Sequence, residues 1–394
     1  QEEDKVLTGY YGEYATCRNL SYEEVEANIK AGKPYVLRLR SQGSPDKEIT
    51  FVDAIKGEIK LPENIHDIVL LKKDGIPTYH FAHAIDDHLM RTTTVVRGGE
   101  WLASAPIHYE LFHLLGFKMP AYAHTAHLMK FDEETGGKRK LSKRKDPELS
   151  LDYYRKDGYH PYTMKVYLLT LLNSNFEEWH EKFPDKDINE FPFSVEKMNQ
   201  SGALFDKDKL HNICKNELSK LSEEELYDFL YDWAKENEPE NVEKWFGDRE
   251  KMLQILRLYM GVGAKRRRKD LMYAKQIFEL ISYFFDGESA EEMDEFKLDE
   301  DMVSKILKSY LAKYDHNDDN SVWFNKLKEI ADEHGFASDM KAYKANPENF
   351  KGNVSDVAEV VRIAVTGRAN TPDLWTIVHI MGEEQMKERI SRFL

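Results

Sequence analysis

Cysteine is almost absent: 394 residues hold only Cys17 and Cys214, far apart in the chain. Neither a disulfide framework nor a complete C-x-x-C metal knuckle can be built from that pair, which fits a reducing cytosol. Long apolar runs are missing too. None approaches the roughly 18–20 residues that a membrane span needs, and the opening QEEDKVLTGYYGEYA has no apolar signal core, so a soluble, cytoplasmic protein is expected. Positive charge is in deficit, with 56 Lys and Arg against 71 Asp and Glu and a formal net charge of -15. Any polyanion must therefore be met by a local basic patch, because local field rather than net charge is what a phosphate encounters. General disorder is excluded by 41% hydrophobic and 12% aromatic content, with charge of mixed sign. The length suits about two to four domains.

The character of the chain changes near residue 200. Before it, short β-rich runs alternate with turns. PYVLRLR (34–40) alternates as a half-buried strand does, HDIVLLKKDG puts a buried strand before an Asp-Gly turn, and TTTVV is a β-branched run ended by Gly98 and Gly99. SAPIHYELFHLLGF then predicts a helix with Ser104 as N-cap, Pro106 in the first turn and Gly116 as the stop. A further strand is predicted at YAHTAHLM. Strand, helix, strand suits part of a parallel α/β sheet, where ligands gather beyond the carboxyl ends of strands. Beyond residue 200 the apolar period settles near 3.6. Ser222 and Glu225 form a capping box ahead of Leu226, Phe229, Leu230 and Trp233. Val303, Ile306, Leu307 and Tyr310, and then Trp323, Leu327, Ile330 and Ala331, repeat the helical spacing and predict core faces. The acidic stretch DGESAEEMDEFKLDEDM is expected to be a solvated, flexible connection. The fold class expected is α/β followed by all-α.

Three features carry chemistry. Lys138 to Lys145 packs six cations into eight positions, after the Gly136-Gly137 pair. The run fits a mobile arm whose ammonium groups and Ser142 hydroxyl follow charge developing on phosphoryl oxygens. On charge alone a solvated basic loop or a nuclear-localisation-like run is the favoured reading. Seven of the fourteen histidines lie between His80 and His127. His124 and His127, with Asp86 and Asp87, match no standard metal-ligand spacing, and a polar core or substrate contacts are the better reading. Arg97 follows the TTTVV strand, where a guanidinium can clasp a carboxylate in two parallel hydrogen bonds or form an ordinary ion pair.

DGIPTY (74–79), DDHLM (86–90) and VVRGGEW (95–101), followed by KLSKR (140–144), occur in that order. Together they resemble the second half of the catalytic domain of bacterial glutamyl-tRNA synthetases, which are class I aminoacyl-tRNA synthetases, with KLSKR in the place of the K-M-S-K-S signature. The likeness continues through SGALFDKDKL (201–210) and VVRIAVTGRANTPDLWTIVHIMGEE (360–384). The resemblance implies the second half of a class I Rossmann-type catalytic domain with a connective-domain remnant, then helical stem-contact and anticodon-binding domains. Divided by residue, it implies a connective remnant over 1–75, the Rossmann half over 76–130, the signature loop and stem-contact domain over 131–235, and the anticodon-binding region over 236–394. It implies that Tyr79, His83 and Arg97 meet L-glutamate, although His83 stands where some members have Asn. Glu100 and Trp101 correspond to residues near the ATP ribose and base. Lys140, Ser142, Lys143 and Arg144 form the loop that stabilises the transition state, with Lys143 also on ATP. The expected partners are ATP with Mg2+, L-glutamate and tRNA(Glu), and the expected state is a monomer.

KRRRKD (265–270) is a second basic patch, which either tracks the tRNA backbone through Lys265, Arg266, Arg267 and Arg268 or is a solvated helix face. The family's H-I-G-H signature does not occur in the sequence. The resemblance therefore leads one to expect roughly a hundred or more residues ahead of Gln1, and no adenylate formation by the chain as given. Some relatives bind zinc through a C-x-C, a later Cys and a His. Cys17 resembles the third ligand, but Asn19 stands at the fourth position, so no zinc is expected. Two other readings are a non-catalytic tRNA-binding protein and a glutaminyl-tRNA synthetase, whose C-terminal part would be built of β-barrels.

Overall fold

The computed structural model describes residues 9–132, 134–285 and 293–394. It divides into two compact units, residues 1–142 with 168–205 and residues 143–167 with 206–394.

In the first unit, Ser21 and Glu24 form a reciprocal capping box that opens helix α1 (Tyr22–Lys30). Four short strands follow: β1 (Leu37–Arg38), β2 (Glu48–Asp53), β3 (Gly57–Pro62) and β4 (Val69–Leu71). The strand expected over 34–40 is reduced to Leu37–Arg38, because its pairing with β4 is interrupted by a register shift between those two residues. Helix α2 (Tyr79–Leu89), strand β5 (Thr94–Gly98), helix α3 (Ala105–Leu114) and strand β6 (Ala121–Thr125) come next. Strands β7 (Leu128–Phe131), β8 (Lys138–Lys140) and β9 (Ala203–Leu204) complete a separate three-stranded sheet.

The sheet that positions the site has the order β3-β2-β6-β5. β5 and β6 run parallel with α3 between them in sequence, as expected, and β2 joins β6 in parallel while pairing with β3 as an antiparallel hairpin. Along β2 buried and exposed residues alternate, so Ile49 and Phe51 join Ala105 of α3 and Tyr122 of β6 in one apolar cluster. Leu111 and Phe112 of α3 pack with Ala84 of α2, Leu39 and Leu70 in a second.

Two local expectations are corrected. Ser104 makes no capping hydrogen bond, since the chain enters α3 from a 3-10 turn (Gly99–Ser104) that leaves Ser104 itself helical. The basic run does not begin as a free arm: Lys138–Lys140 forms β8, paired antiparallel with β7 around a turn in which Gly136 has φ 67°.

The second unit is helical, and its apolar faces are those the spacing predicts. Leu226, Leu230, Trp233, Val303, Ile306, Leu307, Tyr310, Trp323, Leu327, Ile330 and Ala331 are all buried in one core. The capping box of Ser222 and Glu225 is present, and the helix Asn320–His334 stops at Gly335 with φ 82°. KRRRKD is not a helix face: the helix Arg249–Met260 ends on Gly261 at φ 65°, and residues 265–270 follow as irregular chain with Arg268 N–H donating to the Met260 carbonyl. Residues 286–292 of the acidic stretch lie outside the described residues. Among those described, no helix is long and apolar enough to cross a membrane.

Candidate functional site

Arg97 stands one residue from the carboxyl end of β5, and everything around it belongs to the first unit. Its Nε–H donates to His124 Nε2 at 3.0 Å, and Nη1 lies 3.1 Å from His108 Nδ1. The guanidinium carbon sits 4.6 Å from the Tyr122 ring centre and 6.0 Å from that of Trp101. Nη2 is buried with no hydrogen-bond partner, and among the described residues no carboxylate is within hydrogen-bond reach of Arg97. The ordinary ion pair is therefore not what this arginine makes.

The supports come from distant parts of the chain. Asp53, at the end of β2, closes the hairpin by accepting the Ile55 and Lys56 N–H groups, each at 3.0 Å. The same carboxylate accepts from the His124 backbone and lies 2.6 Å from His124 Nδ1. Burial pushes the Asp53 carboxyl up, but the His124, Lys56 and Ile55 hydrogen bonds outweigh it and hold the pKa below the usual range. His108 projects from α3 with no exposed surface, and its Nε2 is 2.9 Å from His80 Nδ1 on α2. Burial, followed by neighbouring His83 and Arg97, pushes His108 down to about 2, and burial lowers His80, His83 and His124 as well. Burial also lowers the Arg97 pKa, opposed by Tyr122, Tyr79 and Asp53, but a guanidinium stays charged in a protein.

Of the residues expected at a glutamate site, the structure brings Tyr79, His83 and Arg97 together. Tyr79 opens α2, is half exposed, and lies against Trp101 with ring centres 4.5 Å apart. His83 stacks 6.0 Å from Tyr79, and both its nitrogens are engaged: Nε2 with the Tyr122 hydroxyl at 2.8 Å and Nδ1 at 2.9 Å from Asp87 Oδ2. Trp101 thus lies close to both Tyr79 and the Arg97 guanidinium. Glu100 folds its carboxylate back over Gly98, where a Cβ would collide with it. Its Oε2 lies 3.7 Å from Lys140 Nζ and 3.4 Å from His127 Nδ1. Its own backbone hydrogen bond, with help from Lys140 and His127, holds its pKa low. Ser142 is the last residue of this stretch in the first unit, whereas Lys143 and Arg144 are exposed turn residues of the second. His124, His127, Asp86 and Asp87 do not converge: Asp87 faces His83, and His124 faces Asp53. Among the described residues no group of three or more His, Cys, Asp or Glu could hold a metal ion, and Cys17 is exposed.

In the second unit, Arg266 and Arg268 line a cleft of about 670 Å³ with Arg257, Thr376 and His379. Arg268 is paired with Asp270 at 2.6 Å, Lys269 bonds Asn216, and Lys265 and Arg267 are exposed.

Residues 10–212 match the family model described as tRNA synthetases class I (E and Q), catalytic domain, and residues 225–394 match an anticodon binding domain. A glutamate-tRNA ligase of Acetivibrio thermocellus is 53% identical over 393 residues, covering 99% of this chain and 71% of the relative. The chain belongs to the glutamate-tRNA ligase family. One from Clostridium perfringens is 46% identical over 396 residues, with the same coverage. In solved structures, glutamate-tRNA synthetase from Elizabethkingia anophelis matches all of this chain and 75% of that one, with a TM-score of 0.70 at 25% identity. A glutamate tRNA ligase from Elizabethkingia meningosepticum, solved in complex with its amino acid, shares the fold at a TM-score of 0.72 and 24% identity, with 100% and 75% coverage. The two domains fit ATP-dependent aminoacylation of tRNA(Glu), a reaction of ligases. The β-barrels expected of a glutaminyl enzyme are not found in the described part of the C-terminal half, which is helical.

Sequence reading missed Asp53, His80, His108 and Tyr122 as parts of the site. The density of histidines between 80 and 127 was the available signal, and polar-core packing its correct sense for His80, His108 and His124. No local pattern links Asp53 to a partner 71 positions away.

Proposed function

We propose that Arg97 receives the side-chain carboxylate of L-glutamate, with Tyr79 at its mouth, Trp101 beside it and His83 as a wall that holds Tyr122. The single observation that supports this is the buried, unpartnered Nη2 of a guanidinium with no internal counter-ion in hydrogen-bond reach. A charged donor left open beside aromatic walls suits an incoming anion. Glu100 and Trp101 contact the ATP ribose and base, and Lys140, Ser142, Lys143 and Arg144 meet its phosphates, with Mg2+ arriving as part of the ATP complex. The glutamate α-carboxylate attacks the α-phosphate and pyrophosphate leaves; a ribose hydroxyl of the 3′-terminal adenosine of the tRNA then attacks the acyl carbon of the glutamyl-adenylate, forming the ester and releasing AMP. The protein's contribution is alignment and charge stabilisation. Lys265, Arg266, Arg267 and Arg268 follow the tRNA backbone.

Isothermal titration with L-glutamate tests the central assignment. Arg97→Gln is expected to weaken binding at least about 100-fold, since it removes a charged, desolvated partner. Unchanged affinity in that variant rejects the assignment.

A further inference from the structure

A buried arginine is ordinarily neutralised by a carboxylate. Arg97 is held by two imidazoles. Because guanidinium N–H groups only donate, the ring nitrogens facing them must be bare. His124 Nε2 accepts from Arg97 Nε, so the His124 proton sits on Nδ1 and is given to Asp53 Oδ2 at 2.6 Å. His108 Nδ1 accepts from Arg97 Nη1, so its proton sits on Nε2 and is given to His80 Nδ1 at 2.9 Å. The geometry thus dictates two neutral histidines of opposite tautomer, and their burial disfavours the charged form of each. Asp53 makes no hydrogen bond to Arg97 and is linked to it by contact through His124, although its charge still favours the guanidinium.

We propose that His108 and His124, backed by His80 and Asp53, are positioning and specificity-setting residues: they hold the Arg97 guanidinium by neutral acceptors, so that its charge is left for the substrate's carboxylate rather than an internal one. This rests on the reading of Arg97 as the glutamate anchor. Two ring acceptors fix the plane of the guanidinium and leave Nη2 as its nitrogen without a partner. A carboxylate in place of either ring would satisfy the geometry equally well but would supply a counter-ion. The frame therefore favours a side chain bearing a negative charge over its neutral amide.

The test has two parts. Proton–nitrogen correlation spectra of the imidazole rings, assigned through the signals lost in His108→Gln and His124→Gln, are expected to show His124 protonated on Nδ1 and His108 on Nε2. His108 should not titrate between pH 5.5 and 8. The reverse tautomer, or an imidazolium at pH 7, at either ring overturns the proposal. In titrations with L-glutamate and L-glutamine, His108→Gln keeps a neutral acceptor and should stay within threefold of the parent for both. His108→Asp should lose at least tenfold for glutamate while glutamine changes less than threefold. Equal glutamate binding by the parent and His108→Asp, or equal losses in His108→Gln and His108→Asp, overturns it. If the aspartate variant does not fold, the tautomers in the parent protein decide. If the expected tautomers are found but Arg97→Gln binds glutamate as the parent does, the anchor reading and the specificity claim both fall, and only the hydrogen-bond frame stands.

Discussion

The two units differ in what their buried polar groups bond to. In the helical unit, several buried side chains end on backbone carbonyls, Arg389 Nη1 on Val365, Trp233 Nε1 on Arg155 and the Tyr259 hydroxyl on Leu280, and others meet in pairs, as Tyr259 with Tyr283 and Trp323 with Tyr310. In the first unit, Asp53, His124, Arg97, His108 and His80 bond to one another in a chain, and one guanidinium nitrogen is left over. Polar groups tied to the backbone stabilise packing and offer nothing to a ligand. A network of side chains with one open donor is a network prepared for a partner.

The largest expected effect falls in the helical unit. Gly158 has φ 78°, and a Cβ there would collide with Ala274 and with the Trp233 indole. Gly158→Ala should cost about 3 kcal/mol by combining overpacking with left-handed backbone strain, read in a urea melt. It should leave the imidazole spectra of the Arg97 frame unchanged. If those spectra change as well, the two units do not differ as described.

Acid should act more strongly on the first unit. A histidine whose folded pKa lies below its unfolded value of about 6.5 takes up protons on unfolding, so stability is complete above that pH and falls as pH drops below it. For His108, held near 2 when folded, the loss should be about 2 kcal/mol at pH 5. His80, His83 and His124 add in the same direction, whereas His160 and His211 carry it in the second unit. Asp53, with its pKa held low when folded, contributes stability above its unfolded pKa that disappears only at lower pH, as the folded pKa is crossed. Hydrogen exchange at pH 7 and pH 5 should show amides of β2, β5 and β6 losing more protection than those of the helical core. The opposite order would break the comparison.

The smallest effect belongs to an exposed pair. Glu100 and Lys140 are each about half exposed, so Glu100→Gln should change stability by less than about 1 kcal/mol. A thermal melt checks this. The cysteines sharpen the contrast without touching stability: Cys17 is exposed, while burial pushes the Cys214 thiol up to about 11 beside Thr163. Alkylation at pH 8 should modify Cys17 at least tenfold faster, as mass spectrometry of timed samples would show.

Much of the fold was legible because its signals are local. Helical faces such as Val303, Ile306, Leu307 and Tyr310 repeat within two turns, capping boxes span four residues, and Arg97 sits at a strand end marked by two glycines. Ser104 and the Lys138–Lys140 run were misjudged where a neighbouring 3-10 turn or a hairpin partner overrode local preference. The site was only half legible. Its arginine and tyrosine stand in recognisable motifs, but the frame joins β2, α2, α3 and β6, and no spacing along the chain shows that Asp53 and His124 touch.

The most direct measurement is calorimetric titration of L-glutamate and L-glutamine into the parent chain and Arg97→Gln at pH 7. Glutamate should bind at least tenfold more tightly than glutamine to the parent, and that preference should vanish in the variant. Equal binding of the two amino acids by the parent, or a preference that survives without Arg97, would contradict the assignment of this arginine as the carboxylate anchor.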